Sequence, residues 1–278
     1  MTTVSVAAAI REGRLEGRLW LYSTYACNLA CTYCLTESAP GVPRRALGAD
    51  RMVDLAHQAA GLGFTELGVT GGEPFLDPSL PQVLARLGEV LPTLVLTNAT
   101  LFTPGRVAAL RPLADLPVKV QVSLDSSFPD RNDHARGPGN FRKVVDAIPR
   151  LVALGIGVRV ATTLDGEDDP DDQARLCELH RSLGVGDEDH VVRPVVARGR
   201  AGARGRGIRA GTSELPPELT VTIDGAFWSP FGPTVTDGVL ATDLLVTRTI
   251  DPLCIPAEAL VRLIEARPAG SDARTGIR

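Results

Sequence analysis

Short apolar runs alternate with amphipathic stretches from Arg18 to Pro194, a pattern that predicts about six βα units around a parallel sheet. Strands are expected at residues 19–23, 66–70, 94–97, 118–123, 157–162 and 190–194, and helices at 49–62, 80–91, 104–111, 140–154 and 172–183. The strand segments are almost continuously apolar, as in a sheet covered on both faces. Boundary chemistry agrees with these periods: Asp50 and Thr103 stand where N-caps fall, Pro104 takes a first-turn position, and Gly155 and Gly184 follow helical runs where a left-handed cap belongs. Six strands do not close an eight-stranded barrel, so the expected fold class is α/β, an open, partial (βα)6 barrel of the TIM type. Ligands in such folds gather at the C-terminal edge of the strands.

After Pro194 the pattern changes. Residues 198–209 are rich in Gly and Arg and read as an extended loop, and a double proline follows at Pro216 and Pro217. The expected division is an N-terminal segment (1–17), the barrel (18–197) and a linker with a small C-terminal β-containing cap (198–278). Within the cap, Asp224-Gly225 between apolar runs signals a hairpin. Residues 240–246 read as a further strand and 256–265 as a closing helix, with disorder expected from Arg267 onward. No internal repeat is present.

Composition narrows the class. The 278 residues are 44% hydrophobic and 22% charged, which permits a sizeable core and argues against a disordered chain. A net charge of -4 tells against phosphate-driven nucleic-acid binding. The six arginines between 193 and 209 lack the aromatics that stack bases, so no nucleic-acid partner is expected. The apolar N-terminus has no basic region before it, and no run is long enough to span a membrane. A cytoplasmic protein is expected, in which crowded cysteines serve metal binding or catalysis rather than disulfides.

Three of the five cysteines do crowd together, in Cys27-Asn28-Leu29-Ala30-Cys31-Thr32-Tyr33-Cys34, directly after the first strand. Such a loop can hold three irons of a cubane and leave the fourth open, whereas ferredoxins supply four cysteines. The alternative is zinc, which usually takes four ligands; the next donor, His57, lies inside a helical pattern. The arrangement resembles the radical S-adenosylmethionine (SAM) superfamily, whose signature has this spacing with an aromatic, here Tyr33, before the third cysteine. Further segments resemble family motifs in the same order. Gly71-Gly72-Glu73 after the second strand is similar to the GGE motif: the glycines let a ligand approach the backbone, and Glu73 offers an acceptor for an ammonium. Thr97-Asn98 is similar to a TN segment, though it is also a common turn. Ser123 and Asp125 form an S-x-D pair, two apart on extended backbone and so facing one side, which suits ribose hydroxyls or a carboxylate; a helix cap is the blander reading. Arg136, in a segment like "hd..RG", is read as pairing with a carboxylate or as a surface arginine. Arg159 lies among apolar residues on the fifth strand, where a charge needs a partner. Arg193, before Gly199-Arg200-Ala201, could clamp a carboxylate.

What the resemblance implies is an enzyme with one [4Fe-4S] cluster on Cys27, Cys31 and Cys34. SAM would be held by Gly71, Gly72, Glu73, Asn98, Ser123, Asp125, Arg136 and Arg193, with Tyr33 near its adenine. A flavodoxin or ferredoxin would supply one electron, and a 5'-deoxyadenosyl radical would take hydrogen from a substrate. The tail resembles a SPASM or twitch extension stripped of its auxiliary-cluster cysteines, since Cys177 and Cys254 are isolated. A peptide substrate is expected on that ground, although no leader-binding domain is evident before Arg18. Alternatives are a small-molecule reaction, such as epimerisation, decarboxylation or dehydrogenation, and a non-catalytic iron-sulfur or SAM-binding protein.

Overall fold

The computed structural model describes residues 5–164, 166, 169–211 and 214–266; the expected disorder from Arg267 lies outside them. The chain opens with helix α1 (Val6–Arg11), which sequence periodicity missed, and runs into β1 (Arg18–Tyr22). Five crossovers follow: α2 (Ala49–Leu62) to β2 (Glu66–Thr70), α3 (Leu80–Gly88) to β3 (Thr93–Thr97), α4 (Pro104–Ala108) to β4 (Val118–Ser123), α5 (Pro129–Arg136) and α6 (Asn140–Ala153) to β5 (Gly157–Leu164), and α7 (Pro170–Ser182) to β6 (His190–Pro194). All six strands are parallel and adjacent in chain order. They pair in register from Arg18↔Glu66 through Leu164↔Pro194.

Two boundary readings need correction. Gly48, at φ 86°, rather than Asp50, is the N-cap of α2, and Asp50 sits within the first turn. The helix expected at 104–111 stops at Ala108 and gives way to a 3-10 turn at Arg111–Leu113, because Pro112 cannot continue the hydrogen-bond ladder. Thr103 caps α4 as expected.

The tail extends the same sheet. β7 (Thr220–Thr222) pairs in parallel with the free edge of β1, and β8 (Gly225–Phe227) folds back on it. Register Thr222↔Gly225 places the turn at Ile223-Asp224, one residue before the expected Asp224-Gly225. The strand expected at 240–246 is split: β9 (Val235–Thr236) and β10 (Val239–Leu240) form a separate ribbon, while β11 (Leu245–Thr247) joins β8. The Gly/Arg-rich stretch read as extended contains a short helix, α8 (Gly199–Ala203), and α9 (Cys254–Glu265) closes the described chain. No helix among the described residues is long and apolar enough to cross a membrane.

Alternation along the strands sends one set of side chains into the helix-covered core and the other into the barrel lumen. Leu19, Leu21, Val69, Val95, Val120 and Val160 are almost fully buried in the core. Trp20 enters the lumen opposite its register partner Gly68, where a Cβ would lie 2.3 Å from the indole. Only glycine there lets the indole lie across the floor.

Candidate functional site

The cysteine loop leaves β1 at the C-terminal edge of the sheet and is clamped from two sides. On one side the end of β2 docks under it: the Gly72 N–H donates to Thr24 O at 2.6 Å and the Glu73 N–H to Ala26 O at 2.9 Å. A Cβ at Gly72 would stand 2.2 Å from Ala26 O, and one at Gly71 2.6 Å from Thr24 O. The space that these glycines free is therefore filled by the cysteine loop itself, a different use from the ligand approach expected from sequence. On the other side, α8 reaches back from the tail. The Arg200 N–H donates to Cys34 O at 3.0 Å, and its guanidinium to the carbonyls of Cys31, Glu37 and Ser38 at 3.0, 2.6 and 2.9 Å. A Cβ at Gly199 would come within 2.3 Å of Leu35 O. Sequence reasoning noticed Gly199-Arg200 only as a family-like passage, because its partners lie far away in the chain.

Cys27, Cys31 and Cys34 are free thiols lining one cavity of about 140 Å3, together with Gly71, Gly72, Asn98, Ser123 and Arg136. The Leu29 N–H donates to Cys27 Sγ at 3.3 Å, and Asn98 Nδ2 donates to the same sulfur at 3.8 Å and to Asn28 Oδ1 at 2.9 Å. Asn98 thus ties the loop after β3 to the cysteine loop. Burial pushes the Cys27 thiol up to about 12 and raises Cys31 as well. Buried thiols of this kind ligate when a metal's own charge replaces their protons. Among the described residues, no group of three or more Cys, His, Asp or Glu converges on a point that a single metal ion could fill. Three thiols on one wall of a shared cavity, with N–H groups aimed at sulfur, match the donor set of a cubane with one open iron.

The remaining predicted residues divide between this cavity and its supports. Glu73 is fully buried, and its carboxylate accepts from the Phe75 N–H, the Thr97 hydroxyl and the Asn98 N–H at 3.0, 2.8 and 2.8 Å. Burial raises its pKa while those three donors pull it back. The side chain staples β2 to β3 and does not line the cysteine cavity. Ser123 lines it, whereas Asp125, beyond the strand end, does not face the same space. Asp125 accepts from the Tyr33 hydroxyl at 2.5 Å, from Arg136 at 3.2 Å and from the Thr163 N–H at 3.0 Å, and Arg136 also donates to the Tyr33 oxygen. Burial disfavours the Arg136 charge, but Tyr33 and Asp125 hold it firmly protonated. The surface-loop reading of Arg136 is excluded by its 6% exposure. Cys177 and Cys254 are both half-buried, on α7 and at the start of α9, and do not line the cysteine cavity.

A larger cavity of about 420 Å3 fills the lumen and shares Cys34, Thr70, Gly71 and Leu96 with the smaller one. Tyr33, Gln121, Arg159 and Arg193 line it, above Trp20 and Arg18. The cysteine cavity and a substrate-sized chamber are therefore contiguous.

Comparison with known proteins bears on this geometry. A model of the radical SAM superfamily matches residues 21–178. The chain is 28% identical over 184 residues to a probable GTP 3',8-cyclase of Archaeoglobus fulgidus, covering 66% of this chain and 61% of that one. It is 32% identical over 143 residues to the mycofactocin maturase MftC of Mycobacterium tuberculosis, covering 51% of this chain and 36% of that one, so it spans less than two thirds of either relative. Among solved structures, Streptococcus suis SuiB bound to its precursor peptide SuiA superposes with a TM-score of 0.61 at 15% identity, covering 94% of this chain and 76% of that one, a likeness of fold. The family match takes in the cysteine loop, both glycines, Glu73, Asn98, Ser123, Asp125 and Arg136, and extends over more than half of the sequence: the chain belongs to the radical SAM superfamily.

Proposed function

We propose that this chain is a radical SAM enzyme that holds one [4Fe-4S] cluster on Cys27, Cys31 and Cys34 and acts on a substrate in the barrel lumen. The observation that carries the reading is the shared wall, where Cys34 and Gly71 border both the cysteine cavity and the larger chamber. When bound, the cluster and SAM supply an electron and a 5'-deoxyadenosyl radical for hydrogen abstraction. The chain's own residues do the rest. Gly71, Gly72 and Asn98 fix the loop that carries the thiols, and Ser123 presents a hydroxyl to the cavity for a polar part of SAM. Arg136, already neutralised by Asp125, adds a donor at its rim, and Tyr33 lines the larger chamber. Glu73 supports the SAM amino group by holding the Thr97-Asn98 backbone in place. The helix-covered walls exclude water and competing hydrogen donors.

A peptide substrate is supported by the likeness to a maturase, and a small molecule by the 420 Å3 size of the chamber. Thiols that must stay free to ligate favour the reducing cytoplasm, with a flavodoxin or ferredoxin as electron donor. The test is anaerobic reconstitution. The chain should bind about four irons, as one cubane requires, and release 5'-deoxyadenosine with dithionite and SAM, while Cys31→Ala should lose both. A wild-type chain that takes up no iron would sink the proposal, and about eight irons would mean a second cluster.

A further inference from the structure

Two guanidinium groups in the lumen have no direct partner among the described residues. Arg159 on β5 and Arg193 on β6 both line the larger cavity, and among the described residues neither guanidinium has an ion pair or a hydrogen bond. The carboxylates near enough to act on them are spoken for. Asp189 and Glu66 act on Arg159, yet Asp189 is paired with Lys119 at 2.6 Å and Glu66 with Arg18 at 2.5 Å. Asp125 acts on Arg193 and is paired with Arg136 at 3.2 Å. Two further carboxylates in the cavity wall lie away from both arginines: Glu218 faces Arg18 at 3.4 Å, and Glu16 acts on Glu218.

Burial lowers the pKa of both arginines, and like charges act in the same direction, Arg18 on Arg159 and Arg159 with Arg136 on Arg193. Unpaired charge inside a protein is costly unless something completes it. Gln121, the register partner of Arg159, is 4% exposed and lines the same cavity, and its side-chain amide has no hydrogen-bond partner among the described residues. It adds a neutral amide with donors and an acceptor.

We propose that the lumen binds its substrate through an oxyanion, a carboxylate or phosphate group held between Arg159 and Arg193 with Gln121 beside it. The guanidinium forks match either group bidentately. The rest of such a molecule then lies toward Cys34 and Gly71, the wall shared with the cysteine cavity. This assignment rests on the radical SAM reading only for its direction; the anion site itself stands on the unpaired lumen charges.

The probes are inorganic phosphate and glutarate, added to the full chain before and after cluster loading. Binding is read from the melting temperature and from tryptophan fluorescence, since Trp20 lines the cavity. One of the two anions should raise the melting temperature by a few degrees, and which one does so tells phosphate from carboxylate. Arg159→Gln and Arg193→Met should each weaken that binding at least tenfold, while Arg262→Gln, exposed on α9, should leave it unchanged. Without anion, both lumen variants should melt no lower than the wild type, because each removes an uncompensated charge. The proposal is overturned if neither anion binds or if the lumen variants bind as well as the wild type. It is also overturned if the variants melt well below the wild type, or if SAM displaces the anion mole for mole from the loaded chain. A wild-type chain that binds neither anion yet releases 5'-deoxyadenosine defeats this inference alone; failure to load iron defeats the proposed activity and leaves the anion result standing.

Discussion

Gly72→Ala separates two uses of a glycine that the sequence cannot tell apart. The added Cβ would meet Ala26 O at 2.2 Å, Ala26 C at 2.6 Å and Tyr25 O at 2.8 Å. All three atoms are backbone, so no side chain can swing away, and the cysteine loop must retreat by about 1 Å to reach ordinary contact near 3.5 Å. That retreat breaks the bonds from Gly72 N to Thr24 O and from Glu73 N to Ala26 O. Overpacking costs about 1–3 kcal/mol and each lost hydrogen bond about 1 kcal/mol, a total of roughly 3–5 kcal/mol. At about 2 °C per kcal/mol for a chain of this size, the metal-free protein should melt roughly 6–10 °C lower. Iron per chain after reconstitution should fall with it, since Cys27 adjoins the displaced residue. Gly105→Ala is the control: nothing lies within 4 Å of its Cβ, and a helical alanine should be neutral or slightly stabilising. If Gly72→Ala kept its melting point and full iron but bound SAM weakly, the glycine would serve ligand approach and the steric argument would be wrong.

Two further substitutions test the electrostatics. Asp125→Asn removes the anion from a pair whose side chains are 6% and 7% exposed, leaving Arg136 buried and uncompensated. The denaturant midpoint should fall by an amount equivalent to about 3–5 kcal/mol, and a loss below about 1 kcal/mol would show a solvated, dispensable pair. Glu218 is pushed up from 4.5 to about 7 by burial, with Arg18 opposing. A raised carboxyl pKa means that the folded state keeps its proton to higher pH than the unfolded chain. Its contribution is therefore full at low pH and is lost as pH rises from about 4.5 to about 7. At ~1.4 kcal/mol per pKa unit this amounts to roughly 3 kcal/mol, so Glu218→Gln should gain about that much relative to wild type between pH 4.5 and 8. Equilibrium unfolding at both pH values measures it, and a difference that does not change with pH would mean that the carboxyl titrates normally.

By itself the sequence determined what depends on near neighbours. Apolar periodicity placed β2, β4 and β6 at their observed limits, and the cysteine spacing with its aromatic identified the loop that lines the small cavity. Gly155 and Gly184, at φ 82° and 86°, end their helices as read, because a left-handed cap is a single-residue property. What escaped is what depends on distant partners. The helix of Gly199–Ala203 was hidden in a Gly/Arg stretch whose helicity follows from Arg200 gripping carbonyls of the cysteine loop. The tail's junction with the barrel needed β7 to find the open edge of β1, a pairing that no local pattern encodes. Glu73, Asp125 and Arg136 were recognised as residues that matter. Which of them faces a cavity and which fastens two strands is set by hydrogen bonds across elements. The same holds for the lumen arginines: Arg159 read as a charge in need of a partner, and only the assembled barrel shows that every carboxylate acting on it already has another cation. Charge balance inside a cavity is a sum over strands far apart in the chain, and tertiary structure is what brings them together.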